Sequence, residues 1–373
     1  MDKSRRFGGF TSSTAFSRII KNILTASGSL FVALVLVGLS ACGGDGSTAA
    51  TPVAGSTPTP VPAKTLRIAV IPKGTTHEFW KSIHAGTVKV QRELVAAGTP
   101  VEIIWKGPLK EDDRTSQIDT VQTFVGQGVD GIVLAPLDSK ALVAPVALAV
   151  GAKIPVVIID SGLESEVTLS TVATNNKSGG MMAGKRLGEV LGGKGSVIML
   201  RYQEGSASTA AREAGFLEAM QAFPNITLIS TDQYAGATRD TALTACQNVL
   251  TRFKGQVDGV FTPNESSTAG MILALTEQNL SGKDGAVKHV GFDASAPLIE
   301  ALDQGRIQGL VVQDPFQMGY LGVKTMCDPQ KRSCSPSAAL HDARNGAAIP
   351  SHHAPCSWTT PAFLQHPLGE RAY

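Results

Sequence analysis

From Leu66 onward, short runs of consecutive apolar residues alternate with longer stretches in which apolar positions return every three or four residues. Such a run, bounded by turn formers, predicts a strand buried on both faces, and the wider spacing predicts a helix with one buried face. Leu66–Ile71, Val101–Trp105, Gly131–Ala135 and Pro155–Asp160 are therefore expected strands. Helices over Glu78–Ala97, Asp112–Val125 and Ser139–Val150 lie between them, the first stopped by Gly98. The alternation resumes after Thr174, with strands at Ser196–Leu200, Ile226–Ser230, Val257–Thr262, Val287–Phe292 and Gln308–Val312. The intervening helices are Asn176–Leu191, Ser208–Phe223, Ala237–Phe253, Ser267–Gln278 and Ala296–Asp303. So many strands exceed one compact sheet. The expected fold is α/β, two doubly wound parallel-sheet lobes with helices on both faces. Ligands of such sheets gather at the carboxyl ends of the strands.

The pattern fails at both ends of the chain. Residues 1–41 carry a basic start (Arg5, Arg6, Arg18, Lys21) and an apolar run, Leu30 to Leu39. The run ends in Leu39-Ser40-Ala41-Cys42, which resembles a bacterial lipobox. The expectation is a lipoprotein signal peptide over 1–41 with lipid attached at Cys42, and hence an exported protein anchored on the extracytoplasmic side of a membrane. An uncleaved membrane helix is the competing reading; Lys21, Asn22, Ser27, Gly28 and Ser29 interrupt it. Ser4-Arg5-Arg6-Phe7 hints at a twin-arginine signal but lies far from the apolar run. Residues 42–63 are rich in Gly, Ser, Thr, Ala and Pro, with Asp45 the one charge. That composition builds no core and reads as a disordered tether of roughly 60 Å when extended.

At the other end a helix opens over Gly319–Met326, and Cys327-Asp328-Pro329 then breaks it. Residues 327–373 hold three of the five cysteines and four of the seven histidines among frequent prolines, with no expected strand or amphipathic helix. His341, His352, His353, Cys327, Cys334 and Cys356 lack the spacing of a metal site. This segment is read as an aberrant tail, disordered or out of frame. If so, the chain lacks the rest of its last helix, a third hinge crossing and a last short strand.

A net charge of +2 gives no electrostatic case for nucleic acid. Cys246 stands alone in a helical pattern and reads as a small buried apolar residue. Pro72-Lys73-Gly74-Thr75 after the first strand is not a phosphate loop, and there is no nucleophile elbow and no cluster of metal ligands. No catalytic residue, cofactor or metal is expected, and the chain is not expected to be an enzyme.

The strand ends carry another chemistry. His77, Phe79 and Trp80 follow the first strand and Asp160-Ser161 the fourth. Arg212 lies early in the helix after Gln203-Glu204, and Asn264, Asp293 and Gln313 each stand just beyond a strand. Aromatic planes pack on the C–H faces of a sugar ring. Amide, carboxylate and guanidinium groups match its hydroxyls, each donor and acceptor. Asp160 and Asp293 have a structural alternative as caps of the helices that follow. Phe79 and Trp80, being adjacent, cannot both face one core. His77 has an alternative as a turn residue.

At these residues the chain resembles the periplasmic sugar-binding proteins of ABC importers, the ribose- and galactose-binding family. The motifs are Phe79-Trp80, Pro155–Asp160, Asn175-Asn176 with Gly179-Gly180, Ala210-Ala211-Arg212-Glu213 with Gly215-Phe216, Val290-Gly291-Phe292-Asp293, and Gln313. The resemblance covers Leu66 to about Met326. It implies two lobes joined by a hinge with the ligand cleft between them: lobe one over 65–174 plus 314–326, lobe two over 175–313. It implies that Phe79 and Trp80 pack against a sugar, that His77 makes a polar contact, and that Asp160, Arg212, Asn264, Asp293 and Gln313 hydrogen-bond its hydroxyls.

The implied partners are a small sugar or polyol and an ABC permease, for a protein acting as a monomer. A ligand-sensing receptor serving a signalling or chemotaxis partner shares the same fold and cleft. A sugar-responsive repressor would need a DNA-binding segment where the signal and tether stand.

Three departures bear on the ligand. Ser161 stands where ribose binders carry arginine, and Ala237 where they carry an aromatic residue, with Tyr234 near enough to substitute. The loop Trp105–Arg114 is richer in charge than a turn needs. It is either a solvated loop or a segment reaching the cleft rim, where Lys106 or Lys110 would meet an anionic ligand.

Overall fold

The computed structural model describes residues 64–282 and 286–330, together with the backbone of Ala362–Leu364. The expected signal peptide and tether, Cys42 among them, and most of the segment after 330 lie outside the described residues. Those described belong to one unit, Val61–Tyr373.

Two sheets form the frame. The first holds β1 (Leu66–Ile71), β2 (Val101–Trp105), β3 (Gly131–Leu134), β4 (Val156–Ile159) and β5 (Ser170–Val172) in the order β2-β1-β3-β4-β5. The second holds β6 (Lys194–Met199), β7 (Asn225–Ser230), β8 (Gly259–Phe261), β9 (Lys288–Phe292), β10 (Gly309–Val312) and β11 (Ala362–Leu364) in the order β7-β6-β8-β9-β10-β11. All pairings are parallel except that of β10 with β11. Leaving β11 aside, the two sheets repeat one strand order, and each reverses direction next to its first strand. Such reversals open the crevices in which α/β proteins bind ligands.

The helices between these strands are α1 (Glu78–Ala96), α2 (Arg114–Gly126), α3 (Val143–Gly151), α4 (Asn176–Val190), α5 (Ala207–Met220), α6 (Arg239–Arg252), α7 (Glu265–Glu277), α8 (Ala296–Asp303) and α9 (Pro315–Cys327). Both faces of each sheet are covered. Ile68, Val70, Val133, Val157 and Ile159 pack on one side of the first sheet with Trp80, Val323 and Met326, while Ala69, Ile71, Ile132, Leu134 and Ile158 face Phe124 and Val146 on the other. The strands are hence apolar at nearly every position, as buried parallel strands must be.

The chain passes between sheets twice within the described residues. After β5 it crosses at residues 173–175 into α4, which packs on α5 and the second sheet. After β10 it crosses back at 313–314 into α9, which packs on α1 and the first sheet. The two crossings touch: the Thr174 hydroxyl donates to Gln313 Oε1 at 2.9 Å.

Both helix pairs rest on glycine. A Cβ on Gly86 would lie 2.0 Å from the Phe316 carbonyl oxygen and one on Gly319 2.1 Å from that of Ile83, so α1 and α9 meet backbone to backbone. The same holds for α4 and α5, where a Cβ on Gly180 would lie 1.9 Å from the Arg212 carbonyl oxygen.

Three expectations need correction. No strand was expected between Asp160 and the first crossing, yet Ser170–Val172 extends the first sheet as β5. It is a short, half-exposed edge strand whose Ser and Thr give no apolar run. No strand was expected after Met326, yet Ala362–Leu364 runs antiparallel beside β10. Three residues are too few for a periodic signal, and pairing to an existing edge supplies what the local pattern lacks. The third helix was expected from Ser139 but begins at Val143, because the Asp138 carboxylate takes the amides of Lys140 and Ala141 into a turn.

Candidate functional site

At the carboxyl ends of the strands, between the two lobes, lies a narrow cavity that is partly open to solvent. All eight sequence-derived candidates, His77, Phe79, Trp80, Asp160, Arg212, Asn264, Asp293 and Gln313, line this one cavity.

Asp160 and Asp293 occupy equivalent places. Each follows a strand directly, Asp160 after β4 and Asp293 after β9. Each has a left-handed backbone, with φ of 63° and 74°. Aspartate tolerates this region better than most residues. Each donates its amide to the next strand, Asp160 to Val172 O at 3.0 Å and Asp293 to Val311 O at 2.8 Å. The carboxylates are thereby turned out of the sheets into the cavity.

Asp160 caps no helix, since β5 follows it. Its carboxylate pairs with Lys73 Nζ at 2.9 Å, both side chains 4% exposed, and Lys73 also donates to Ser208 Oγ at 3.2 Å. Asp293 does assist a helix, though α7 rather than the one that follows it: its Oδ2 accepts the Glu265 amide at 2.7 Å. Its Oδ1 accepts from Gln313 Nε2 at 2.6 Å.

Arg212 is the buried hub. Its Nε donates to Asn176 Oδ1 at 2.8 Å, Nη1 to Pro263 O at 2.9 Å and Nη2 to Gln313 Oε1 at 2.8 Å. The guanidinium lies over the Phe292 ring, 4.2 Å from its centroid, a cation–π contact that strengthens where water is excluded. Asn264 is more committed than its sequence position suggests. It is the N-cap of α7, its Oδ1 accepting from Ser267 and its Nδ2 donating to Ser266 Oγ.

The aromatic wall comes from the start of α1. Phe79 and Trp80 meet edge to face, 5.0 Å between centroids. Trp80 belongs to the lobe-one core, Phe79 is half-buried against it, and both reach the cavity. The Trp80 indole N–H donates to Glu111 Oε1 at 2.8 Å, and His77 Nδ1 approaches the same oxygen at 2.7 Å. Burial opposes charge on His77, but the hydrogen bond to Glu111 and its negative charge outweigh it, and the pKa is raised.

Sequence reading missed Lys73, Glu111, Tyr202, Ser208, Thr209 and Glu265 as lining residues. Lys73 stood in a loop weighed only for phosphate. Glu111 stood in the charge-rich loop, whose excess charge was the available signal. That loop does reach the cleft, through its glutamate: Lys106 and Lys110 are exposed and do not line the cavity. Nor do Ala237, which is buried, and Tyr234, which is 48% exposed with Arg201 over its ring. Ser161 is buried and its Oγ accepts the Ser208 amide at 3.1 Å. The cation beside the strand-four aspartate is therefore Lys73 from the end of β1, in place of an arginine after the aspartate. Among the described residues no His, Cys, Asp and Glu side chains group as a metal site.

A family model for the periplasmic binding protein domain matches residues 68–330. The chain belongs to that family. This periplasmic binding protein is 27% identical to the xylitol-binding protein of Mycolicibacterium smegmatis over 294 residues, covering 79% of this chain and 77% of that one. It is 29% identical to the ribose import binding protein RbsB of Haemophilus influenzae, over 58% of this chain and 71% of the other. An ABC transporter solute-binding protein from Agrobacterium vitis, solved with bound D-fucose, superposes with a TM-score of 0.65 at 31% identity, covering 70% of this chain and 88% of that one. These relatives are solute-binding proteins rather than enzymes.

Two buried carboxyls give this binding protein a definite pH response. Burial pushes Glu213 up to about 7 and Asp293 up to about 6, against opposing hydrogen bonds and cations. A carboxyl whose folded pKa is raised holds its proton more tightly when folded. Its contribution is therefore fully present at low pH and lost as pH climbs through the folded value. Glu213 accepts from the Tyr202 amide through Oε1 and from Arg201 through Oε2, and a glutamine oxygen can keep one of the two bonds at every pH. Glu213→Gln is expected to gain on the native protein by up to about 3 kcal/mol as pH rises from 5 to 8. Paired denaturant melts across that range measure it; a constant difference would show that Glu213 does not titrate there.

Proposed function

We infer that this periplasmic binding protein is an extracytoplasmic lipoprotein receptor. It captures a small neutral sugar or polyol between its lobes and delivers it to the permease of an ABC importer, acting as a monomer. The observation that carries the ligand class is the charge balance of the cavity. Lys73 is matched by Asp160, His77 by Glu111, and Arg212 by Asp293 through the shared Gln313 amide. Glu265 adds a further carboxylate, which pairs with Arg239. A phosphorylated or carboxylated ligand finds no unmatched cation here, and its desolvation would go uncompensated. Hydroxyls, which both donate and accept, suit a lining of carboxylates, amides and guanidinium beside two aromatic rings.

The relatives named for xylitol and ribose, and the neighbour solved with D-fucose, support a neutral polyhydroxylated ligand. Leu39–Cys42 and the tether over 42–63 support a lipid anchor, and a permease partner follows from the importers those relatives serve.

A thermal-shift panel of pentoses, hexoses, polyols and phosphorylated sugars on the full-length protein tests the reading. At a hundredfold excess over Kd, a true ligand is expected to raise Tm by roughly 5 °C. Phosphorylated analogues are expected to leave it unmoved. No shift with any neutral sugar or polyol would overturn the assignment.

A further inference from the structure

The charge-rich loop between β2 and α2 sends one buried side chain into the cleft, and its three contacts span both lobes. Glu111 Oε1 takes the Trp80 indole N–H and faces His77 Nδ1, both in lobe one. Its Oε2 takes the Tyr202 hydroxyl of lobe two at 2.6 Å, and its main-chain oxygen takes Gln203 Nε2, also of lobe two, at 3.0 Å. Glu111 is buried and packs closely on Gly74 of the loop after β1: a Cβ there would lie 2.8 Å from Glu111 Cγ and would displace the glutamate.

We propose that Glu111 is a positioning residue for ligand capture, one carboxylate that orients the Trp80–His77 wall and clasps Tyr202 of the opposite lobe. Closing the cleft and assembling the binding wall are then a single event. With Tyr202 withdrawn, the cleft opens, Oε2 exchanges its partner for water, and the wall loses its link to the opposite lobe. With Tyr202 engaged, the carboxylate is satisfied on both oxygens and the two side chains of the wall are held in place. Other bonds cross the seam, among them Phe79 N to Glu265 Oε2 at 3.3 Å and Ser208 N to Ser161 Oγ. Glu265 also bridges the lobes, taking the Phe79 backbone amide and Arg239 of its own lobe. Glu111, however, is the carboxylate that holds side chains of the wall, Trp80 and His77, together with a side chain of the far lobe.

The proposal rests on the cavity being the ligand site, and its test is built to fail separately from that reading. Tyr202→Phe removes the clasping hydroxyl and keeps the ring. Glu111→Gln keeps an acceptor oxygen, and Glu111→Ala removes both. Small-angle X-ray scattering of the ligand-free full-length proteins measures closure without any ligand, and titration with whichever neutral sugar or polyol shifts the native protein measures capture.

Tyr202→Phe is expected to enlarge the ligand-free radius of gyration and to weaken binding by about ten- to a hundredfold, the value of a hydrogen bond to a charged group. Its Tm in the absence of ligand is expected to change little. Glu111→Gln is expected to fall between the native protein and Glu111→Ala on both measures. Unchanged scattering and affinity in Tyr202→Phe would overturn the proposal, as would a fall in Tm alone, which a merely structural bond would give. If no sugar binds the native protein, the ligand reading fails while the scattering comparison still decides the clasp.

Discussion

Replacing Asp160 by alanine is expected to abolish sugar binding and to cost the fold about 3–5 kcal/mol. The stability loss comes from Lys73, whose ammonium is buried beside this carboxylate. Removing the carboxylate leaves that cation without its counter-charge, far worse than losing an exposed ion pair. The binding loss comes from the carboxylate itself, turned into the cavity by the left-handed backbone at Asp160. The double variant Lys73→Met, Asp160→Asn separates the two effects. Asparagine tolerates the same backbone region and methionine fills the lysine stem's space without charge, so stability is expected to recover while binding does not. Thermal melts with and without ligand read both quantities. Undiminished binding in Asp160→Ala would remove the residue from the site.

Gly180→Ala is expected to destabilise the protein by about 3 kcal/mol and to impair ligand binding with it. Alanine within a helix is ordinarily worth about 1 kcal/mol over glycine, so the expected sign is reversed. The cause is the contact between α4 and α5. A Cβ at this position would lie 1.9 Å from the Arg212 carbonyl oxygen and 2.9 Å from its Cα. Those are backbone atoms and cannot rotate away. The helices have to separate, and Arg212, which bonds Asn176 on one helix and Gln313 at the crossing, is carried along. Gly126→Ala is the control: nothing lies within 4 Å of a Cβ there and the φ is ordinary, so the change is expected to be neutral or slightly stabilising. Equal melting of the two variants would mean that α4 and α5 tolerate separation.

The strands and helices of both lobes were legible because their signals are local. Val156–Ile159 is apolar throughout since both faces of its sheet are covered, and no distant partner has to be known to see it. The residues at the strand ends were legible for the related reason that topology directs those positions to the cleft. What escaped were features that exist only by approach. Glu111 and Tyr202 are 91 residues apart and meet across the cleft, so neither position announces the other. Lys73 was judged by its immediate neighbours, whereas its role comes from Asp160 on another strand. β5 and β11 are strands only because an edge was waiting for them. Asn264 carries a role that its sequence position does not announce: it lines the cavity, and it also caps α7.

The equivalence of Asp160 and Asp293 makes the two carboxylates the jaws of a calliper. Each is locked to its own sheet by the same amide bond to the adjoining strand, so neither shifts within its lobe. Any rotation of one lobe against the other therefore changes the gap between the jaws and leaves each jaw undeformed. Under the proposed function, the span between two hydroxyls of the ligand is what such a gauge would measure, and a stereoisomer with the same atoms but a different span is expected to bind more weakly than the true ligand.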